Sequence, residues 1–205
     1  MGCLGVHFSF PAGQGGRLRD GDQASLAFVE ELEERWDTDY LQQTDKAWDA
    51  IHRCLADGTL AWAGGDWPLS GAILGGEPVY LGRDHIIMFL DDHDVAEIAQ
   101  ALDEVTQPWF RARFFALPAH GYQGRTDEAA FDYTWGWFEL MRAFFRKSAD
   151  EGRRMVFTAD QLGARDTRDR SEKRSSHRTA PVPAPRTATP AAPGILRIAW
   201  QAWRS

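Results

Sequence analysis

Residues 45–76 read DKAWDAIHRCLADGTLAWAGGDWPLSGAILGG, and this stretch sets the fold class. Trp48, Ile51 and Leu55 fall at i, i+3 and i+7, one stripe of a short amphipathic helix opened by a Thr44 or Asp45 cap. Gly58 supplies the left-handed stop. A loop rich in Gly and Trp follows, then Pro68 at the first turn of a short helix, LSGAIL, closed by Gly75 and Gly76. A helix that short cannot bury its stripe alone, so the flanking segments must provide a second layer.

Working outward, residues 78–90 carry two apolar runs, PVYLG and HIIMFL, parted by the turn residues Gly82, Arg83 and Asp84, the pattern of a hairpin. Asp91, with Asp94 at the third helical position, predicts a capped helix whose stripe is Val95, Ile98, Ala99, Leu102 and Val105, with Pro108 marking its end. Residues 109–117 allow another turn or two of helix. From Thr126, a long helix over 127–151 is predicted, with Ala130, Tyr133, Trp137, Leu140, Met141, Phe144 and Phe145 on its packed face, stopped by Gly152. RRMVFTA, residues 153–159, reads as a last strand.

Toward the N-terminus, residues 3–10 read as a first strand. Asp22 is placed to cap a helix over 23–36, with Leu26, Val29, Leu32 and Trp36 inward and Glu30, Glu31, Glu33 and Glu34 toward solvent. Gly13, Gly15 and Gly16 do not have the G-x-G-x-x-G spacing, and no Lys-Ser/Thr follows to hold a nucleotide, so they form a plain loop. The whole predicts an α+β fold: a small mixed or antiparallel sheet packed against several helices.

Composition changes after Gln161. Residues 163–205 hold nine Lys/Arg against three acids, while 1–162 hold 14 against 27, a net charge of −13. Five of the ten prolines lie in the last 25 residues, and no periodicity appears before ILRIAWQAW. The reading is a globular domain over 1–161 and a disordered Pro/Arg/Ala-rich tail over 162–205.

Charge and composition exclude several function classes. A body at −13 repels phosphate backbones, so no nucleic-acid ligand is expected for it, and a basic protein partner fits better. No apolar run reaches the roughly 18 residues of a membrane span, and the N-terminus lacks the basic-then-apolar pattern of a secretory signal, which makes the cytoplasm the expected compartment. Cys3 and Cys54 make no disulfide or metal framework. Asp91, Asp92, His93 and Asp94 are the densest group of ligand-type residues, but consecutive residues at a helix start diverge, and the helix dipole already accounts for the acids. No metal or other cofactor is expected.

The combination of Asp45-Lys46-Ala47-Trp48 with His52 and Leu55, Pro68-Leu69, Ala72-Ile73-Leu74-Gly75-Gly76 and the capped helix through Val95 and Leu102 resembles the YfbM-like family of bacterial proteins, domain of unknown function 1877. The opening Met1-Gly2-Cys3-Leu4-Gly5 and the late aromatic helix followed by a strand are similar too, over about residues 1–160. The resemblance implies a compact cytoplasmic α+β protein and no established activity.

Three functional readings meet at this stretch. In the first, favoured by the charge, the acidic body is a non-enzymatic interaction module of the immunity or adaptor type. In the second it is a small-molecule-binding domain with a cleft over 62–76, where Trp62 and Trp67 stack on a ligand and Gly75 and Gly76 line the wall. In the third, His52 acts as a general base tuned by Asp45 or Asp49. The candidate binding residues are therefore Asp45, His52, Trp62, Trp67, Gly75 and Gly76, and no catalytic residue is assigned.

Overall fold

The structure is a computed structural model that describes residues 4–62, 64–82, 85–118 and 121–160. The expected tail, 162–205, lies outside the described residues. Five strands form one antiparallel sheet: β1 (Gly5–Pro11), β2 (Leu41–Asp45), β3 (Glu77–Leu81), β4 (His85–Leu90) and β5 (Arg153–Asp160), in the order β2-β1-β5-β4-β3. Among the described residues five α-helices accompany them: α1 (Asp22–Arg35), α2 (Trp48–Leu55), α3 (Asp92–Asp103), α4 (Gln107–Phe115) and α5 (Glu128–Asp150). The fold class is α+β.

The first and last strands of the domain pair in the middle of the sheet, Gly5 opposite Ala159 through to Pro11 opposite Arg153. Both are covered on both faces, so their burial does not alternate. Phe8 and Phe10 meet α1 through Trp36 and Phe28, with ring centroids 6.3 and 5.0 Å apart. The opposite face carries Met88, Leu90, Met155 and Phe157 into the main core with α2, α3, α4 and α5. His7 also points to this face. It is fully buried beside Phe157 and Phe145, and its Nε2 donates to the Ala72 carbonyl at 2.8 Å.

The hairpin and α3 form as their residues predict. Asp91 accepts from the Asp94 backbone N–H at 2.9 Å while the Asp94 carboxylate accepts from the Asp91 N–H at 3.1 Å, a complete capping box. Val95, Ile98, Ala99, Leu102 and Val105 are all buried. Gly152, with φ at +58°, turns the chain from α5 into β5.

Several local expectations are corrected. Neither Thr44 nor Asp45 caps α2: the capping position is Ala47, and LQQTD forms the edge strand β2 instead. Its polar residues gave no strand signal, because an edge strand half open to water needs no apolar face. Pro108 does not end α3; it sits in the first turn of α4, behind the Thr106 cap. The cap of α5 is Asp127, not Thr126, and the buried face is Phe131, Thr134, Phe138, Met141, Phe144, Phe145 and Ser148, with Tyr133 and Leu140 exposed. Aromatic and apolar residues almost encircle this helix, so a 3.6-residue period fits more than one stripe. In α1, Glu33 is buried rather than solvated, and Phe28 takes the inward place expected of Leu26.

Candidate functional site

The site forms where α2 ends. Leu55 is its last residue, and the four closing carbonyls of a helix need partners. The His52 and Arg53 carbonyls accept from the backbone N–H groups of Ala56 and Gly58, and two arginines hold the Cys54 carbonyl and the chain that follows. Arg113 of α4 donates to the carbonyls of Cys54 and Ala56. Arg53, 6% exposed, donates to the Gly58 carbonyl at 3.1 Å, to Gly121 at 2.8 Å and to Asp49 on its own helix. Cations at a helix C-terminus also oppose the negative end of the dipole.

These contacts fold the loop after α2 back onto the helix. Gly58 closes on the Arg53 carbonyl, and Gly65, with φ at +82°, lies so close that a Cβ there would sit 2.5 Å from Ala56 Cα. Beneath the loop lies His52, 0% exposed, whose Nε2–H donates to the Ala61 carbonyl at 3.0 Å. Its other nitrogen, Nδ1, is buried with no hydrogen-bond partner among the described residues. Burial holds His52 below the ordinary histidine range, although the Ala61 bond and the charges of Asp49 and Asp57 pull the other way.

The pinned loop and the β3–β4 hairpin enclose a cleft of about 280 Å³. Leu60, Ala61 and Trp62 form one wall, Leu81, Gly82 and Ile86 the other, with Trp48 and Leu74 also lining it. Leu60, Trp62 and Leu81 are 42%, 52% and 51% exposed, whereas Trp48 is 7%. The other side of the same loop borders a more polar hollow of about 450 Å³ lined by Asp57, Asp66, Trp109 and Arg113. Arg113 stacks over Trp109 there, and Asp57 is engaged by Thr59.

The six candidate residues do not share one surface. Trp62 lines the cleft, and His52 supports it from below through Ala61. Asp45 ends β2 and accepts from the Tyr133 hydroxyl at 2.6 Å, so it does not orient His52. Trp67 lies against Gly71 and donates its indole N–H to Glu97 at 2.7 Å. Gly75 and Gly76 meet backbone rather than a pocket: a Cβ on Gly75 would lie 2.7 Å from Ser70 C, and one on Gly76 2.7 Å from the Phe89 carbonyl oxygen. Cys54 is buried and its thiol is pushed up to about 12 by desolvation, the opposite of an activated nucleophile. Among the described residues no group of His, Cys, Asp and Glu gathers to hold a metal, and Asp92 instead pairs with Arg154.

Sequence reasoning missed Leu60, Leu81 and Trp48 as cleft residues. Leu60 is a single apolar residue beside a turn and carries no periodic signal, Leu81 was read as part of a strand and Trp48 as part of a helix stripe, roles that both also serve. Arg113 was missed because capping a helix from 57 residues away leaves no local pattern, and Arg53 because its bond to Gly121 spans 68 residues.

An antiparallel sheet whose first and last strands pair centrally, with helices on both faces, defines the class of fold. The chain belongs to the family defined by the domain of unknown function DUF1877, whose model matches residues 1–158. Among solved structures it is similar to YfbM from Escherichia coli, a protein of unknown function, at 18% identity and a TM-score of 0.52, covering 76% of this chain and 99% of that one. At that identity the likeness concerns the fold. No curated protein matches the sequence. No helix among the described residues is long and apolar enough to cross a membrane.

Proposed function

We propose that this protein is a non-enzymatic interaction module that takes one apolar side chain of a basic partner protein into the cleft between the 57–66 loop and the β3–β4 hairpin. The observation that carries this reading is the convergence of Leu60, Trp62 and Leu81, each more than 40% exposed, on a single depression. Exposed apolar residues scattered singly are ordinary; three around one hollow hold water against apolar surface that a partner would release.

Size and chemistry narrow the occupant. At about 280 Å³ the cleft falls just below the roughly 300–1,000 Å³ of small-molecule sites and suits one aliphatic or aromatic anchor. Among the described residues the lining is apolar and carries no charged side chain, which favours an apolar occupant. The −13 of residues 1–162 adds steering toward a basic partner. The enzyme reading draws less support: the Asp45 carboxylate is held by Tyr133 and that of Asp49 by Arg53, and His52 donates to a backbone carbonyl.

Selection of random peptides on the full chain tests the proposal. The selected peptides should share one apolar anchor flanked by Lys or Arg and bind more weakly as salt rises. Trp62→Ser or Leu81→Ser should weaken them at least tenfold, on the order of the 2 kcal/mol of an interface hot spot. Peptides that bind both variants as well as the parent would refute the assignment.

A further inference from the structure

His52 is not explained by its place in the fold. It lies on α2 one residue past Ile51, under the loop, where an apolar residue would pack without cost, yet it is 0% exposed and spends one nitrogen on a loop carbonyl while leaving the other without a partner among the described residues. A buried polar atom of that kind carries an uncompensated desolvation penalty. Its position suggests what it does. The carbonyl it holds belongs to Ala61, the middle residue of the Leu60-Ala61-Trp62 wall.

Resting on the cleft reading above, we propose that His52 is a positioning residue and a pH-sensitive latch: its neutral ring fixes the loop wall through Ala61, and protonation in mild acid releases Leu60 and Trp62 and opens the cleft. In the neutral ring the Nε2–H donates to Ala61, and Nδ1 keeps its lone pair. Adding a proton creates an N–H at Nδ1 with no acceptor among the described residues and places a charge in the interior. The ring gains an acceptor by reaching water, and the loop that must lift to admit water is the one hydrogen-bonded to it.

The surrounding charges set the balance. On its own helix Asp49 favours the charged ring and Arg53 opposes it, and those two are already paired with each other. In the loop, Asp57 favours it. From the other elements around the end of α2 come the Arg113 guanidinium and the Tyr122 phenol stacked near Arg53; neither is an acceptor held for Nδ1. The carboxylates therefore temper the desolvation of the charged ring without cancelling it, and the geometry leaves loop release as the relief.

The experiment follows the Trp62 indole resonance, assigned through Trp62→Phe, in the 15N-labelled full chain from about pH 7.5 to 5, beside the His52 ring resonances. N-acetyl-L-leucinamide, uncharged across that range, serves as the cleft probe. Expected in the parent are a Trp62 shift that tracks His52 titration with a midpoint below about 6.5, and probe affinity that falls by up to about tenfold per pH unit below that value. His52→Gln, which keeps an N–H donor but does not titrate, should flatten both profiles, while His7→Gln should leave both unchanged. An unaltered pH profile in His52→Gln overturns the latch. Should that variant fail to fold, the parent alone decides: His52 and Trp62 midpoints that differ overturn it. If the probe leaves Trp62 unmoved near pH 7.5 while the two resonances still titrate together, the latch stands and the cleft's role as a partner site falls.

Discussion

Acidification should destabilise this protein through His7. The residue lies fully buried in β1, against Phe157 at 4.9 Å and Phe145 at 5.6 Å, with one N–H given to Ala72. Burial lowers it from 6.5 to about 4. The sign follows from which state binds the proton. Above 6.5 the ring is neutral folded or unfolded, and pH has no leverage. Below 6.5 the unfolded chain takes up a proton that the folded chain refuses, so stability falls as pH falls, until the folded ring titrates near 4. A gap of about 2.5 units at roughly 1.4 kcal/mol each gives a loss of about 3 kcal/mol across that window, a substantial part of the 5–15 kcal/mol that a typical domain possesses. His52, lowered for the same reason, acts in the same direction. The assay is urea unfolding at several values between about pH 7.5 and 4.5, comparing the parent with His7→Gln, which retains an N–H for Ala72 and cannot titrate in this range. The parent should lose about 1 kcal/mol more per pH unit than the variant. Parallel pH slopes would refute the reasoning, because the exposed carboxylates, common to both proteins, would then carry the whole acid response.

Two further tests address packing and backbone. Phe138→Ala, at a fully buried position on α5, should cost about 3–5 kcal/mol in the same urea assay, while Leu140→Ala, two residues on and 51% exposed, should stay within about 0.5 kcal/mol; similar costs for the two would contradict the face assigned to this helix. Gly65→Ala should cost at least about 1–3 kcal/mol and broaden or shift the Trp62 resonance, since φ at +82° and the 2.5 Å approach to Ala56 leave no room for a Cβ; a neutral substitution would mean that the loop is not pinned as described.

How much of this was legible in the sequence varied with the range of the cause. The Asp91–Asp94 capping box, the α3 stripe, the hairpin of β3 and β4 and the stop at Gly152 were all read correctly, because each is written in residues three or four apart. Strand β2 was not, since Leu41–Asp45 exists only because β1 offers it a ladder. The packed face of α5 was read in part, Met141, Phe144 and Phe145 correctly and Tyr133 and Leu140 not, for a related reason: with apolar residues around most of its circumference, the choice falls to α3 and the sheet. For the same reason Trp62 and Trp67, five residues apart in one loop, end in different surroundings, one on the cleft and one against Gly71 and Glu97.

By itself the sequence determined the α+β class, the order of most elements, the capping box of α3 and the stop at Gly152, and the acidity of residues 1–162, all of which depend on local periodicity, backbone preference or simple counting. Only the tertiary structure decided that β1 and β5 pair at the centre, that Arg113 closes α2 from α4, and that Leu60, Trp62 and Leu81 meet over Trp48. The physical reason is that a cap or a turn is satisfied by atoms within one or two turns of chain, whereas a cleft and a buried histidine acquire their properties from groups the chain brings together only by folding.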